Sequence, residues 1–246
     1  MKNIYYISII LLVISFSSCK EKLDSANVSR TTYYPVMTVL GSSVQLVQMG
    51  AQFKDSGAVA LANGKSIPVT TTVSGVFTPY TGTTVDVNTP NEYLITYTAV
   101  NSDGFAGTAS RTVWVAKTGD LVTSIEGLYS STVVRNGAVN PQYQNLQYVI
   151  IWKTGANTYQ ISDAIGGYYD LGRNYGPAYA ATGGIITAAS IPGNSFSFAD
   201  ALISGFGGDI SFTSMSVDPV GKTISLVTSW AAIPYTFAIT LSQVQF

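Results

Sequence analysis

From residue 33 onward, apolar and polar residues alternate in short runs rather than recurring every three or four positions. The clearest run is Glu92 to Val100, where Tyr93, Ile95, Tyr97 and Ala99 fall on one face and Thr96 and Thr98 on the other. Period-two alternation predicts a strand with one buried face. Asn101-Ser102-Asp103-Gly104 reads as a turn. The run Ala109–Ala116 follows, with Val113 and Val115 on one face and Arg111 and Trp114 on opposite faces, so the pair predicts a β-hairpin. Earlier strand candidates are Val36–Leu40, Val44–Val47, Ile67–Val73 and Thr84–Val87. Short strands at this spacing over residues 33–117 predict a small β-sandwich.

After Lys117-Thr118-Gly119-Asp120 the pattern resumes, and residues 120–246 form the second predicted domain. Its candidate strands are Gly127–Arg135, Gln147–Lys153, Thr158–Asp163, Gly184–Ser190, Ser195–Ala199, Ile210–Val217, Lys222–Trp230 and Tyr235–Ser242. Turn residues mark two hairpins, at Thr154-Gly155-Ala156-Asn157 and at Asp218-Pro219-Val220-Gly221, where Pro presets the turn. A barrel or a second sandwich fits this count, and the short connections favour a lipocalin-like meander. No run has helical period. The two domains are expected to have separate cores, and Trp152 and Trp230, inside strands, read as core residues.

Composition removes several functions. Of 246 residues only 10% are charged and the net charge is −1, so nothing offsets a nucleic-acid backbone. There is no histidine, which removes the usual general base, the Ser-His-Asp triad and the commonest zinc ligand. Cys19 is the lone cysteine, so no intrachain disulfide can form. No cofactor motif is present.

Residues 1–18 read as a targeting segment: Lys2, then an apolar run from Ile4 to Phe16 that is short for a membrane span. Phe16-Ser17-Ser18-Cys19 resembles a bacterial lipobox, with Phe16 where that family usually has Leu. The resemblance implies cleavage before Cys19 and lipid attachment to it, and each buried acyl CH₂ then contributes about 0.8 kcal/mol to anchoring. Lys20-Glu21-Lys22-Leu23-Asp24 resembles the surface-export signals of Bacteroides-type lipoproteins, and residues 19–32 read as a tether.

Phe53-Lys54-Asp55-Ser56-Gly57-Ala58, Tyr93-Leu94-Ile95-Thr96-Tyr97-Thr98-Ala99 with Asp103-Gly104, and Arg111-Thr112-Val113-Trp114-Val115 together resemble bacterial Ig-like modules. Asn91-Glu92 departs from that pattern, which commonly has Gly there. The resemblance implies a spacer or binding sandwich. The fold class expected is therefore all-β, an Ig-like β-sandwich followed by a barrel-like domain or second sandwich. Asp55, Asp86 and Asp103 have calcium-ligating chemistry, though their positions read better as turn-forming, and no metal is expected.

The stretch from Tyr159 to Gly184 concentrates the candidate chemistry. Its tyrosines offer flat apolar faces with hydroxyl tips, and its glycines allow close backbone approach. Leu171–Thr182 fits no strand and predicts a long loop, which in a compact domain is usually functional. Tyr168, Tyr169, Asp170, Arg173, Tyr175 and Tyr179 are expected to line one exposed concavity suited to a sugar. The other reading makes the same tyrosines caps on a core and pairs Arg173 with Asp170. Glu126, Asp163, Asp170, Asp200, Asp209 and Asp218 could serve a glycosidase, but none lies in a recognisable motif and no catalytic residue is expected. The whole pattern resembles accessory lipoproteins of glycan-uptake systems. That resemblance implies a lipid-anchored, non-catalytic glycan binder of the outer membrane. Its implied partners are an oligo- or polysaccharide and a TonB-dependent transporter with its lipoprotein partner. A structural or adhesin-complex module is the alternative.

Overall fold

The computed structural model describes residues 31–246; Cys19, the targeting segment and most of the tether lie outside the described residues. Eight strands build the first domain: β1 (Val36–Val39), β2 (Val44–Gln48), β3 (Ala58–Ala62), β4 (Lys65–Ile67), β5 (Thr70–Gly75), β6 (Thr81–Gly82), β7 (Asn91–Val100) and β8 (Ala106–Ala116). A three-stranded sheet in the order β1-β3-β4 is joined by a five-stranded sheet in the order β2-β8-β7-β5-β6. The predicted hairpin is β7 and β8, antiparallel from Asn91–Val115 to Val100–Ala106. Its inward face, Tyr93, Ile95, Tyr97, Val113 and Val115, is buried with Val47 and Val73. Met37, Val39, Phe53 and Val85 pack against that cluster.

Arg111 shares the inward face of β8 and is fully buried. Its guanidinium pairs with Asp55 and donates to the Leu40 carbonyl, while Nε donates to the Ser42 carbonyl at 2.9 Å. Asp55 also accepts the Tyr97 hydroxyl, at 2.7 and 2.8 Å to its two oxygens. The aspartate thus satisfies a buried cation instead of closing a turn.

Two of the expected strands differ in the structure. The run Ile67–Val73 is split, because Pro68 has no N–H to continue a ladder; β4 belongs to one sheet and β5 to the other. Thr84–Val87 is not a strand. Asp86 turns the chain there by accepting the Asn88 N–H at 2.9 Å and the Thr89 hydroxyl at 2.6 Å. Two strands of this domain were not expected: β6, only two residues long, and β3, which is rich in alanine, a residue with little strand preference.

The second domain is one ten-stranded sheet, not a second sandwich. Its strands are β9 (Gly127–Arg135), β10 (Leu146–Lys153), β11 (Thr158–Ile161), β12 (Ala181–Thr182), β13 (Ile185–Ser190), β14 (Ser195–Ala199), β15 (Ala201–Ile203), β16 (Asp209–Asp218), β17 (Thr223–Trp230) and β18 (Tyr235–Gln243). They lie in the order β12-β15-β16-β17-β18-β9-β10-β11-β13-β14, and each neighbouring pair is antiparallel. Irregularities in the β9/β10, β13/β14 and β16/β17 ladders interrupt the register. Such bulges bend a strand and raise its twist, and the sheet curls into a half-barrel. The curl brings Phe198 of β14 against Phe212 of β16, stacked at 5.1 Å with 10° between ring planes. Trp230, Phe237, Ile239 and Leu241 fill the concave side.

The two domains do not have wholly separate cores. Each has its own, but a third cluster joins Trp114 and Ala116 of β8 to Leu128 of β9 and Ile150 of β10. Phe77, Tyr148, Trp152 and Val244 pack around it, with Tyr148 edge-on to Trp114 at 5.9 Å. Strands β8 and β9 sit on either side of a short link, and each presents an apolar outer face that only the other domain can cover. Gln243 Nε2 donates to the Gly119 carbonyl at 2.9 Å and fastens the link itself.

Candidate functional site

The stretch after β11 plugs the half-barrel. Asp163, fully buried, accepts the backbone N–H groups of Ile165, Gly167 and Ala181 at 2.9–3.0 Å and so holds both ends of the loop. Burial pushes its carboxyl up to about 7, against those three donors, which favour the ionised form. Gly166 and Gly167 follow with φ of 67° and 81°. A side chain at Gly166 would strike Ser131, Ile239 and Val133 at 2.6–2.9 Å, so the backbone itself lies on the sheet. That contact drives the next residues inward.

Tyr168 and Tyr169 are therefore 2% and 6% exposed, and Asp170 is 8% exposed. Tyr168 stacks on Tyr143 at 4.0 Å and meets Phe237 at 5.4 Å. Tyr169 packs edge-on to Phe206 at 4.9 Å and to Trp230 at 6.3 Å. These rings support the plug, as the core reading has it, and an exposed concavity lined by all six expected residues is not what the loop forms. Asp170 is not paired with Arg173. Burial raises its carboxyl to about 6, and its charge adds to the burial that raises Glu92 of β7 to about 7.

Beyond Asp170 the chain returns to the surface. Arg173 is exposed and Tyr175 is 47% exposed. The turn Pro177–Tyr179 leaves Tyr179 half-buried. Phe206, in the turn after β15, is also 47% exposed and contacts Tyr179 at 4.7 Å and Tyr175 at 6.2 Å. Gly205 permits this, since a Cβ there would lie 2.6 Å from the Tyr179 ring. Tyr175, Tyr179 and Phe206 form an aromatic shelf that rests on Tyr169 and, through Phe206, on Trp230 at 5.8 Å.

Beside the shelf lies a concavity of about 240 Å³ lined by Arg135, Asn136, Ala138, Asn140, Tyr143, Tyr168 and Arg173. Of the expected residues it gathers Tyr168 and Arg173; Tyr175 and Tyr179 belong to the shelf. Arg135, Tyr143 and Phe206 were not foreseen. A lone aromatic in Ser204-Gly205-Phe206-Gly207-Gly208 was the one available sequence signal. A smaller hollow of about 90 Å³ in the first domain includes Asp55, which is already taken up by Arg111 and Tyr97.

Besides Asp163, three of the candidate carboxyls hold local structure. Glu126 accepts from Ser124 at 2.9 Å and pairs with Lys117 at 3.3 Å. Asp200 accepts from Ser211 at 2.8 Å, and Asp218 accepts the Val220 and Gly221 N–H groups of its own turn. No group of three or more metal-ligating side chains occurs among the described residues.

Both domains have counterparts among known proteins. Residues 118–243 match a family model described as a C-terminal domain, and residues 37–115 match the bacterial surface protein Ig-like domain. The first of these models spans half of the chain, and the chain belongs to the family of that C-terminal domain, joined here to a bacterial surface protein Ig-like domain. Among solved structures it is similar to the lipoprotein BT2262 from Bacteroides thetaiotaomicron, with 28% identity and a TM-score of 0.63. That match covers 85% of this chain and 100% of the other. No curated protein matches the chain. These likenesses indicate a location in the cell envelope.

Proposed function

We propose that this protein is anchored in the outer membrane through acyl chains on Cys19 and binds a glycan without catalysis. The binding surface is the shelf of Tyr175, Tyr179 and Phe206 with the adjoining Arg173 side of the concavity. One observation carries the reading: two large aromatic rings, each 47% exposed, are held on a buried aromatic base next to hydrogen-bonding groups. The apolar C–H faces of a sugar pack on such rings, and its hydroxyl edges need donors and acceptors close by. Tyrosine gives that face at low entropic cost because it has two χ angles. A shallow shelf gives modest affinity, about 1 mM to 1 μM, which many anchored copies raise by multivalency. A TonB-dependent transporter and its lipoprotein partner fit as recipients of the bound glycan.

The test is retention of the protein on a glycan array, comparing wild type with Tyr175→Ala and Phe206→Ala. Glycan-specific retention that both substitutions weaken supports the reading. Absence of retention by wild type overturns it, and leaves the shelf as a protein-contact surface of an envelope complex.

A further inference from the structure

Two arginines face the concavity and neither has a counter-ion. Among the described residues the ion pairs are Arg111–Asp55 and Lys117–Glu126. No Asp or Glu lines the concavity. Both cations lean on the same ring: the guanidinium carbon of Arg135 is 5.0 Å from the centre of Tyr168, and that of Arg173 is 5.8 Å away. Arg135 also lies 4.4 Å from the centre of Tyr235, and Arg173 lies 6.0 Å from that of Tyr169.

Cation–π contact holds each guanidinium in place but does nothing to relieve the repulsion between two like charges around one ring. An anion seated between them does. Asn140 uses its side-chain oxygen to accept the Gln142 N–H at 2.9 Å, which leaves its amide NH₂ to donate. The lining is therefore rich in donors and holds no anionic acceptor, although the Tyr143 and Tyr168 hydroxyls accept from Arg173. Planar guanidinium forks match carboxylate and sulfate oxygens in a bidentate manner. At about 240 Å³ the space is below the usual range for an enclosed ligand, so it suits one charged substituent rather than a whole oligosaccharide.

We propose that this concavity binds the anionic substituent of an acidic glycan, a ring carboxylate or a sulfate ester, through Arg135 and Arg173. The neighbouring sugar rings lie on the shelf of Tyr175, Tyr179 and Phe206. The inference rests on the glycan-binding reading above and adds the chemical class of the ligand.

Calorimetric titration of the protein with two matched pairs tests it. One pair is oligogalacturonides and their carboxyl-reduced neutral counterparts; the other is sulfated and unsulfated dextran oligosaccharides. Inorganic sulfate is titrated alone. At least one acidic member should bind about tenfold more tightly than its neutral partner, and the pair that shows the gap names the substituent. The gap should shrink with added salt and close in Arg135→Gln and in Arg173→Gln. Arg173 is exposed, so its variant should keep the wild-type melting temperature even if Arg135→Gln loses packing. Equal binding of acidic and neutral members, unaffected by both substitutions, overturns the anion site and leaves the glycan reading standing. Binding of inorganic sulfate with no oligosaccharide bound overturns the glycan reading and leaves a bare anion pocket. Silence from every probe overturns both.

Discussion

The ring of Tyr168 lies against that of Tyr143 at 4.0 Å, 29° from parallel, between the plug after β11 and the turn Pro141–Tyr143. The contact joins two segments that no backbone ladder connects, and it forms the floor of the two-arginine concavity. Tyr168→Ala should therefore act on stability first, costing about 3–5 kcal/mol as for other buried aromatics. Tyr175→Ala should leave the melting temperature nearly unchanged and weaken glycan binding by about 1–2 kcal/mol. Chemical denaturation of the two variants, beside a binding titration, separates floor from shelf.

In the first domain Arg111 and Asp55 form an ion pair with a buried guanidinium. Removing one partner of a buried pair leaves the other uncompensated, at a cost of about 3–5 kcal/mol. Asp55→Ala should show that loss in denaturant unfolding, since it strands both the guanidinium and the Tyr97 hydroxyl. Arg111→Met with Asp55→Asn together should recover part of it, because no charge is then left unpaired.

The pH dependence follows from three raised carboxyls. Burial lifts Glu92 and Asp163 to about 7 and Asp170 to about 6, and the charge of Asp170 adds to the shifts of the other two. In each case the folded state holds its proton at a pH where the unfolded chain has released it. The stabilisation is thus full below about pH 4 and is lost as pH rises toward 7. One pKa unit is worth about 1.4 kcal/mol, and each kcal/mol moves the midpoint of a chain this size by about 2–4 °C. The melting temperature should fall by several degrees between pH 5 and pH 8. Glu92→Gln should flatten that slope and melt higher than wild type at pH 8. A steeper slope in Glu92→Gln would contradict the assignment.

Much of this fold is written in the alternation of residues. Gly127–Arg135 and Ser195–Ala199 were legible to the residue, because strands with one wet face carry a period of two. The curl of the second sheet was not, since bulges and a contact such as Phe198–Phe212 leave no mark on local pattern. The site was legible in part. Tyrosines 168 and 169 stand in the same sequence context as Tyr175, and only the approach of Gly166 to Ser131 and Val133 decides that they turn inward. Arg135 belongs to β9 and Arg173 to the plug, so their meeting at Tyr168 is a product of topology that no spacing encodes.

The shared cluster at the link also makes a prediction. Trp114 is buried on its domain's outer face against Tyr148 and Phe77. Wild type should unfold in one calorimetric transition. Trp114→Ala should cost about 3–5 kcal/mol and separate the melting of the two domains. A single unshifted transition in the variant would show that the domains are coupled elsewhere.

A glycan lying on the shelf of the second domain is read directly by a chemical-shift map of the bound state. On titration with an oligosaccharide retained on the array, the ring resonances of Tyr175, Tyr179 and Phe206 and the side-chain signals of Arg173 should move together. Those of Tyr93 and Tyr97 in the first domain should stay still. Shifts confined to the first domain, or none at saturating oligosaccharide, would contradict the account.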